Sequence, residues 1–323
     1  MNIGIIGCGA YSIALGKIFN ENKNSDTMWT KFEKERDALL VTRENKKTFA
    51  GVKIDDEIKI TSNLEEVTLN KDIVVIATPA ICFDEIALSL KDYITNQVVV
   101  IATKGLDEKQ GLFLNDVWCK YHSVDNLCVI AGGSFAIDIV SGSPIGLTIA
   151  SLNKNARLKV REAMENDHFK FQETTDIYGV EVCSSIKNVL AIASGILDGL
   201  GLNESTKCMF LTKSLNDVSV LIKNFGGFKD TILTYAGFGD ILLTCTSVKS
   251  RNYSYGQTLA TKDIEKIKHY EENNTIEGKN ALNALYKICL EKNIQVDILS
   301  VLYKIIFQDE DVNLLIDFLK FSK

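Results

Sequence analysis

Between Gly179 and Leu202 the chain reads G-V-E-V-C-S-S-I-K-N-V-L-A-I-A-S-G-I-L-D-G-L-G-L. Wound as a helix, this stretch is apolar on nearly every side, which marks a helix buried inside a folded protein. One cation, Lys187, stands in its middle. Three and four residues away lie Cys183, Ser184, Leu190 and Ala191, mostly small, so a bulky group has room against that strip. Desolvation disfavours an ammonium, and a lysine so placed can exchange a proton near neutral pH. The competing reading is a lysine whose stem packs while its amine reaches water. The rest of the chain has to decide between them.

A length of 323 residues with 46% hydrophobic content allows two ordinary domains, each with its own core. The net charge of -6 argues against nucleic acid or an anionic membrane as the main partner, so an anionic ligand must be met by local cations. The longest apolar stretch carries Lys187 and Asn188, and no stable membrane insertion is expected. The chain opens directly on a strand-like run without a signal-like segment, which predicts a cytoplasmic protein. Eight cysteines lie scattered without a C-x-x-C pair and there are three histidines, so neither a metal site nor a disulfide framework is expected.

Asn2 to Ile6 is a short apolar run that ends in G-C-G-A-Y-S, followed by the helical pattern Ile13, Ala14, Leu15, Ile18, Phe19. Strand, tight turn and helix in this order form a dinucleotide-binding fingerprint. Gly7 permits the turn, Gly9 lets the backbone approach a pyrophosphate, and the helix aims its first amides at that anion. Ser12 stands at the third position, where a glycine serves close helix-on-strand packing. The second strand of such a fold ends at the residue that meets the adenosine ribose. Ala38 to Thr42 reads as that strand, ending at Arg43, which suits a 2'-phosphate and favours NADP(H), with NAD(H) possible beside Glu44. The polar segment from Asn20 to Arg36 then reads as a surface insertion.

Further β-type runs at Asp72–Ala77, Gln97–Thr103, Leu127–Ala131, Ile145–Ala150 and Phe169–Glu173 alternate with helical segments, which predicts an α/β, doubly wound, largely parallel sheet. Ligands of such sheets bind beyond the carboxyl ends of the strands, where Thr78-Pro79, Lys104-Gly105 and Gly132-Gly133-Ser134 fall. From about residue 178 helical periodicity takes over. The expected domains are therefore a Rossmann-type dinucleotide-binding domain over 1–178 and an all-α C-terminal domain over 179–323. In the second, Asp240 is a lone carboxylate within A-G-F-G-D-I-L-L-T-C-T-S, suited either to capping a helix or to orienting Lys187. Ser250-Arg251-Asn252 is either an ordinary surface turn or a phosphate grip.

In order and spacing the chain resembles the bacterial NAD(P)-dependent glycerol-3-phosphate dehydrogenases along nearly its whole length. A-T-K-G (102–105), G-V-E through I-K-N (179–188), D-G-L-G (198–201), A-G-F-G-D with L-L-T-C-T-S, S-R-N and I-E-G carry the likeness. The resemblance implies reduction of dihydroxyacetone phosphate to sn-glycerol 3-phosphate for phospholipid synthesis, by a homodimer acting on a small phosphorylated substrate. It implies that Lys187 is the general acid/base, that Lys104 binds substrate at the nicotinamide end, and that Lys104 and Lys187 act on the C2 oxygen with Asp240 in support. Asp240, Thr244, Ser250, Arg251, Asn252, Gly132 and Ser134 are the implied substrate contacts. Gly7, Gly9, Ala10, Tyr11, Ser12, Arg43, Lys104, Ala136, Arg251 and Glu277 are the implied cofactor contacts. Departures from the family pattern are Ser12, Gly133, Ile137 and Asn280. Competing readings are a β-hydroxyacid or ketopantoate-type dehydrogenase, which shares a catalytic lysine, and an NADP(H)-binding sensor without turnover.

Overall fold

Runs of β-branched and other apolar residues, each bounded by turn-forming residues, pair into one sheet over the first half of the chain. The structure, a computed structural model, describes residues 1–321. Its elements begin with β1 (Asn2–Ile6), α1 (Ala10–Glu21), β2 (Ser25–Trp29), α2 (Glu33–Thr42), β3 (Lys59–Thr61), α3 (Leu64–Thr68), β4 (Ile73–Ile76), α4 (Phe83–Ser89) and β5 (Val98–Ile101). The hairpin strands β6 (Leu106–Asp107) and β7 (Leu112–Phe113) follow, then α5 (Leu114–Cys119), β8 (Leu127–Ala131), α6 (Ala136–Val140), β9 (Ile145–Ala150), α7 (Lys154–Met164) and β10 (Phe169–Thr174). Eight strands lie in the order β10-β9-β8-β5-β4-β1-β2-β3, and every neighbouring pair is parallel except β8 with β9. The chain winds outward from β1 through β2 to β3 and then returns to the other side of β1 at β4. That reversal makes β1 and β4 the switch point, beyond whose carboxyl ends ligands of open parallel sheets bind. Ile3, Ile5, Val75, Val100 and Ile130 of the sheet, with Leu15, Phe19 and Val160 of the helices, form its core.

The remainder is helical: α8 (Ile177–Gly199), α9 (Glu204–Asn224), α10 (Asp240–Thr246), α11 (Arg251–Ala260), α12 (Ile264–Asn273), α13 (Glu277–Glu291), α14 (Asp297–Phe307) and α15 (Leu314–Phe321). Two compact units result, Met1–Lys104 with Leu114–Ile177, and Gly105–Phe113 with Tyr178–Lys323. In the second unit α8 is the central element. It is long and apolar enough to cross a membrane, yet its apolar window is wholly buried among the other helices, with Ile186, Val189, Leu190 and Ile196 fully enclosed. The hairpin of β6 and β7 joins this helical core: Leu106 and Phe113 are buried there, and the Phe113 ring stands edge-on to Phe225 at 5.0 Å.

Two expectations are corrected. Ala38–Thr42 is not a strand but the second half of α2, and the second strand is Ser25–Trp29, inside the segment expected to be a surface insertion. The physical reason lies in the patterning. In α2 only Leu39 is buried while Leu40 and Val41 face solvent, so the apolar run A-L-L-V marked no core strand. The true strand is disguised by Asp26, a carboxylate at a position whose neighbours are core.

Asp26 pairs in register with Ile3, is 2% exposed, and among the described residues neither carboxylate oxygen has a hydrogen-bond partner. Burial lifts its carboxyl to about 7, against the lowering influence of Lys71 and the N-terminal amine; Asp55 adds to the rise. The Lys71 ammonium donates instead to Thr27 Oγ1 at 2.8 Å. A carboxyl raised on folding means the folded state holds the extra proton, so stability falls as pH rises from the unfolded value near 4 through about 7. Its slope there is at most about 1.4 kcal/mol per pH unit. Replacing Asp26 with valine is expected to raise the melting temperature at pH 8 and to abolish that part of the pH dependence. Thermal unfolding of both proteins between pH 4 and pH 8 checks this, and parallel curves would show that the carboxyl is not held neutral.

Candidate active site

In the first unit the glycine turn follows β1. Gly7 adopts φ +127, and a side-chain carbon there would lie 2.8 Å from the Ala77 carbonyl oxygen, so only glycine fits without strain. Gly9 caps α1 with extended backbone and no side-chain bond, and nothing lies within 4 Å of where its side chain would stand. The start of a 12-residue helix thus opens on free space beside Gly9, a fit for the pyrophosphate of a dinucleotide. Ser12 is fully buried and donates to the Ala77 carbonyl at 3.1 Å, tying α1 to the end of β4 where a third glycine would only have allowed close packing. Ala10 and Tyr11 form the first turn of α1. Beyond β5 and β8 stand Lys104, Gly132 and Ser134, and Ala136 opens α6. Lys104 Nζ lies over the Tyr11 ring, 4.8 Å from its centroid, and the Tyr11 hydroxyl shares a hydrogen bond of 3.2 Å with Ser134 Oγ. Gly132, at φ +158, has no room for a side chain against the Gly146 carbonyl.

Arg43 is not among these groups. It terminates α2 in a left-handed conformation, its guanidinium donates to the carbonyls of Asp55 and Ile58, and it faces Asp56 at 3.6 Å. The residue at the end of the true second strand is Trp29. Past it a cavity of about 600 Å³ is lined by Trp29, Lys31, Arg36, Ser62 and Tyr93, among others. Arg36 donates to Ser62 Oγ at 2.8 Å and also holds Asp37, while Lys31 pairs with Glu85. Asn45 ties this region to the glycine turn by donating to the Cys8 carbonyl at 2.9 Å and to Glu35 at 3.3 Å. The signal for these residues was the S-D-T-M-W run, which places W-T-K and the start of α2 at a strand end.

In the second unit Lys187 is enclosed: its side chain is 4% exposed and it donates to Asp240 Oδ2, itself 3% exposed. Asp240 does not cap a helix with its side chain; it is the first residue of α10 and faces α8. A non-helical kink at Gly237 puts it there, where any side chain would collide with the Ile232 carbonyl at 2.3 Å. Thr244, one turn on, donates to the Asp240 backbone carbonyl at 2.6 Å and lies 3.3 Å from Asp240 Oδ1. Burial, with the Asp240 charge adding to it, pushes the neighbouring Cys245 thiol well above its ordinary range, so this thiol stays protonated.

Beside that pair runs a chain of amides. Asn252 donates to Asn188 Oδ1 at 3.0 Å and accepts from the Gly278 amide at 2.9 Å, while Asn188 donates to Glu277 at 3.3 Å. Glu277 in turn faces Arg251 at 3.7 Å. Ser250 accepts from the Tyr253 amide as the cap of α11, so Ser250-Arg251-Asn252 is a helix start and not a free turn. These contacts exist because three helices touch backbone to backbone. A side chain at Gly256 would lie 2.0 Å from the Ile192 carbonyl, at Gly195 2.0 Å from the Tyr253 carbonyl, and at Gly278 2.4 Å from that of Asn188. Asn188 was quoted within I-K-N but given no role from sequence; its amide is what links Asn252 to Glu277.

An enclosed ammonium with a carboxylate counter-ion can deliver and recover a proton, and a half-exposed guanidinium beside a fixed amide can hold a phosphate. Similarity to known proteins agrees. Residues 2–157 match the profile of the NAD-dependent glycerol-3-phosphate dehydrogenase N-terminus and residues 176–317 that of the C-terminus. A glycerol-3-phosphate dehydrogenase [NAD(P)+] of Fusobacterium nucleatum is 31% identical over 317 residues, covering 96% of this chain and 94% of the relative. That of a Thermoanaerobacter strain is 32% identical over 313 residues, covering 96% and 94%. The crystal structure of the Coxiella burnetii glycerol-3-phosphate dehydrogenase superposes with a TM-score of 0.91 at 25% identity, over 99% of both chains. The chain therefore belongs to the NAD-dependent glycerol-3-phosphate dehydrogenase family.

Proposed function

We propose that the protein is an NAD(P)-linked sn-glycerol-3-phosphate dehydrogenase, reducing dihydroxyacetone phosphate to sn-glycerol 3-phosphate reversibly and so feeding glycerophospholipid synthesis. The observation that carries the reading is the enclosed Lys187–Asp240 pair beside the amide chain that ends in Arg251 and Asn252. The nicotinamide, when bound, supplies the hydride or takes it back. Lys187 gives its proton to the C2 oxygen as negative charge builds there, and Asp240 orients the amine before the transfer and favours its reprotonation afterwards. Arg251 and Asn252 hold the substrate phosphate, a local cation offsetting the net charge of -6. Glu277 keeps Arg251 and Asn188 in place. In the first unit Lys104 and Ser134 serve the substrate end and the glycine turn holds the pyrophosphate. On family likeness the enzyme works as a cytoplasmic homodimer.

The 2'-phosphate is taken by Arg36, seconded by Lys31, in place of Arg43. Both stand where the adenosine ribose meets the end of the second strand, and a guanidinium matches a phosphate with two parallel bonds. The preference for NADP(H) thus keeps its direction and changes its residues. Ketopantoate and β-hydroxyacids lack the phosphate that would engage Arg251, and a substrate panel separates those readings.

Three outcomes are expected. Replacing Lys187 alone strands a buried carboxylate, at about 3–5 kcal/mol, so Lys187→Met is best combined with Asp240→Asn. The double variant should fold and lose roughly two to four orders of magnitude in kcat; near-normal turnover would remove the acid/base assignment. Arg251→Ala should raise KM for dihydroxyacetone phosphate about tenfold or more with a smaller change in kcat, and an unchanged KM contradicts the phosphate role. Arg36→Ala should weaken binding of 2',5'-ADP by about tenfold in calorimetry while leaving 5'-AMP unaffected. Equal losses for both nucleotides would show that Arg36 does not read the 2'-phosphate.

A further inference from the structure

Family likeness gives Tyr11 to the cofactor, but its side chain in the first unit is engaged with two groups assigned to substrate. The ring lies under Lys104 Nζ at 4.8 Å, and the hydroxyl meets Ser134 Oγ at 3.2 Å. Ser134 is 3% exposed and also donates to the Gly132 carbonyl at 3.3 Å, so its oxygen is held from two sides. Tyr11 is itself fixed, because the first turn of α1 is pinned by Gly9 at its start and by the bond from Ser12 to Ala77. We infer that Tyr11 is a positioning residue for the reaction: its ring sets the Lys104 ammonium beyond β5, and its hydroxyl sets that of Ser134 beyond β8.

The chemistry favours an aromatic ring over a carboxylate in this role. A lysine carries its charge on four flexible carbons, and an unheld ammonium samples many positions. A carboxylate would fix it, as Asp240 fixes Lys187, but would also neutralise the charge locally and compete with any anion that came to it. The face of a phenol attracts the cation through its quadrupole and bears no formal charge. The ammonium so held keeps its full charge for an oxygen that becomes negative during reduction. Lys187 faces a carboxylate, whereas Lys104 faces an uncharged ring.

This inference rests on the substrate role of Lys104 given above, and a double-mutant cycle separates the two. Tyr11→Leu should lower kcat/KM for dihydroxyacetone phosphate about tenfold while calorimetric binding of NADPH stays within about threefold of the parent. Tyr11→Phe, which keeps the ring and loses the bond to Ser134, should recover most of that loss. Tyr11→Met serves as a second non-aromatic variant should the leucine variant fold poorly in thermal unfolding. In a Lys104→Ala background Tyr11→Leu should cost no more than Tyr11→Phe costs in the parent, because the ring then has no ammonium to hold and the bond to Ser134 is what is left to lose. Additive losses, a leucine variant equal to the parent, or weaker NADPH binding that accounts for the whole loss would each overturn the inference. Should Lys104→Ala alone leave kcat/KM at the parent level, it is the substrate role of Lys104 that fails.

Discussion

An ammonium and a carboxylate, both almost shut off from water, meet where α8 faces α10, and the second unit is arranged around keeping them together. Each ion taken alone into such surroundings loses several kcal/mol of hydration, which the attraction between them offsets. Removing Lys187 leaves the Asp240 carboxylate buried without the ammonium that faces it. Pairs like this add little stability compared with apolar side chains of the same volume. An ammonium in the middle of a long, buried, apolar helix, met by a carboxylate from α10, is therefore a mark of chemistry rather than of folding.

Holding that pair demands precision from the backbone around it, and the glycines supply it. Gly237 lets the chain turn so that Asp240 begins α10 with its carboxylate towards α8. Gly195 and Gly256 bring α8 and α11 into backbone contact, and Gly278 does the same for α13 against Asn188. Side chains at these points would push the helices apart by more than a hydrogen bond can span, and the chain of amides from Glu277 to Asn252 would open. The same logic operates in the first unit, where Gly7 and Gly132 occupy backbone conformations and spaces that no other residue enters without strain.

Much of this was legible in the residues themselves. Period-two and period-3.6 patterns place most strands and the buried helix α8, and the α/β fold with a helical second half follows from their order. Lys187 was visible because a charge stood where the pattern demanded none. What escaped notice had a physical cause each time. β2 was hidden by Asp26, a core position occupied by a carboxyl group whose proton is held more tightly because it is buried. Its neighbour α2 imitated a strand because Leu40 and Val41 are apolar yet exposed. Arg43 was misplaced as a direct result, since its role depended on which strand came second. Asn188 had no signal of its own: an amide after a lysine looks ordinary until two other helices bring their polar groups to it.

The hairpin Gly105–Phe113 bears on how the protein is made. It emerges from the ribosome with the first half of the chain, but Leu106 and Phe113 belong to a core whose other members begin some way beyond residue 177. For the interval in which those helices are still being synthesised, two large apolar side chains have no home. A fragment cut at the end of β10 would carry that orphaned hairpin permanently, and its complement would lack a piece of its own interior. The two halves are thus interleaved along the chain, and neither is a severable module.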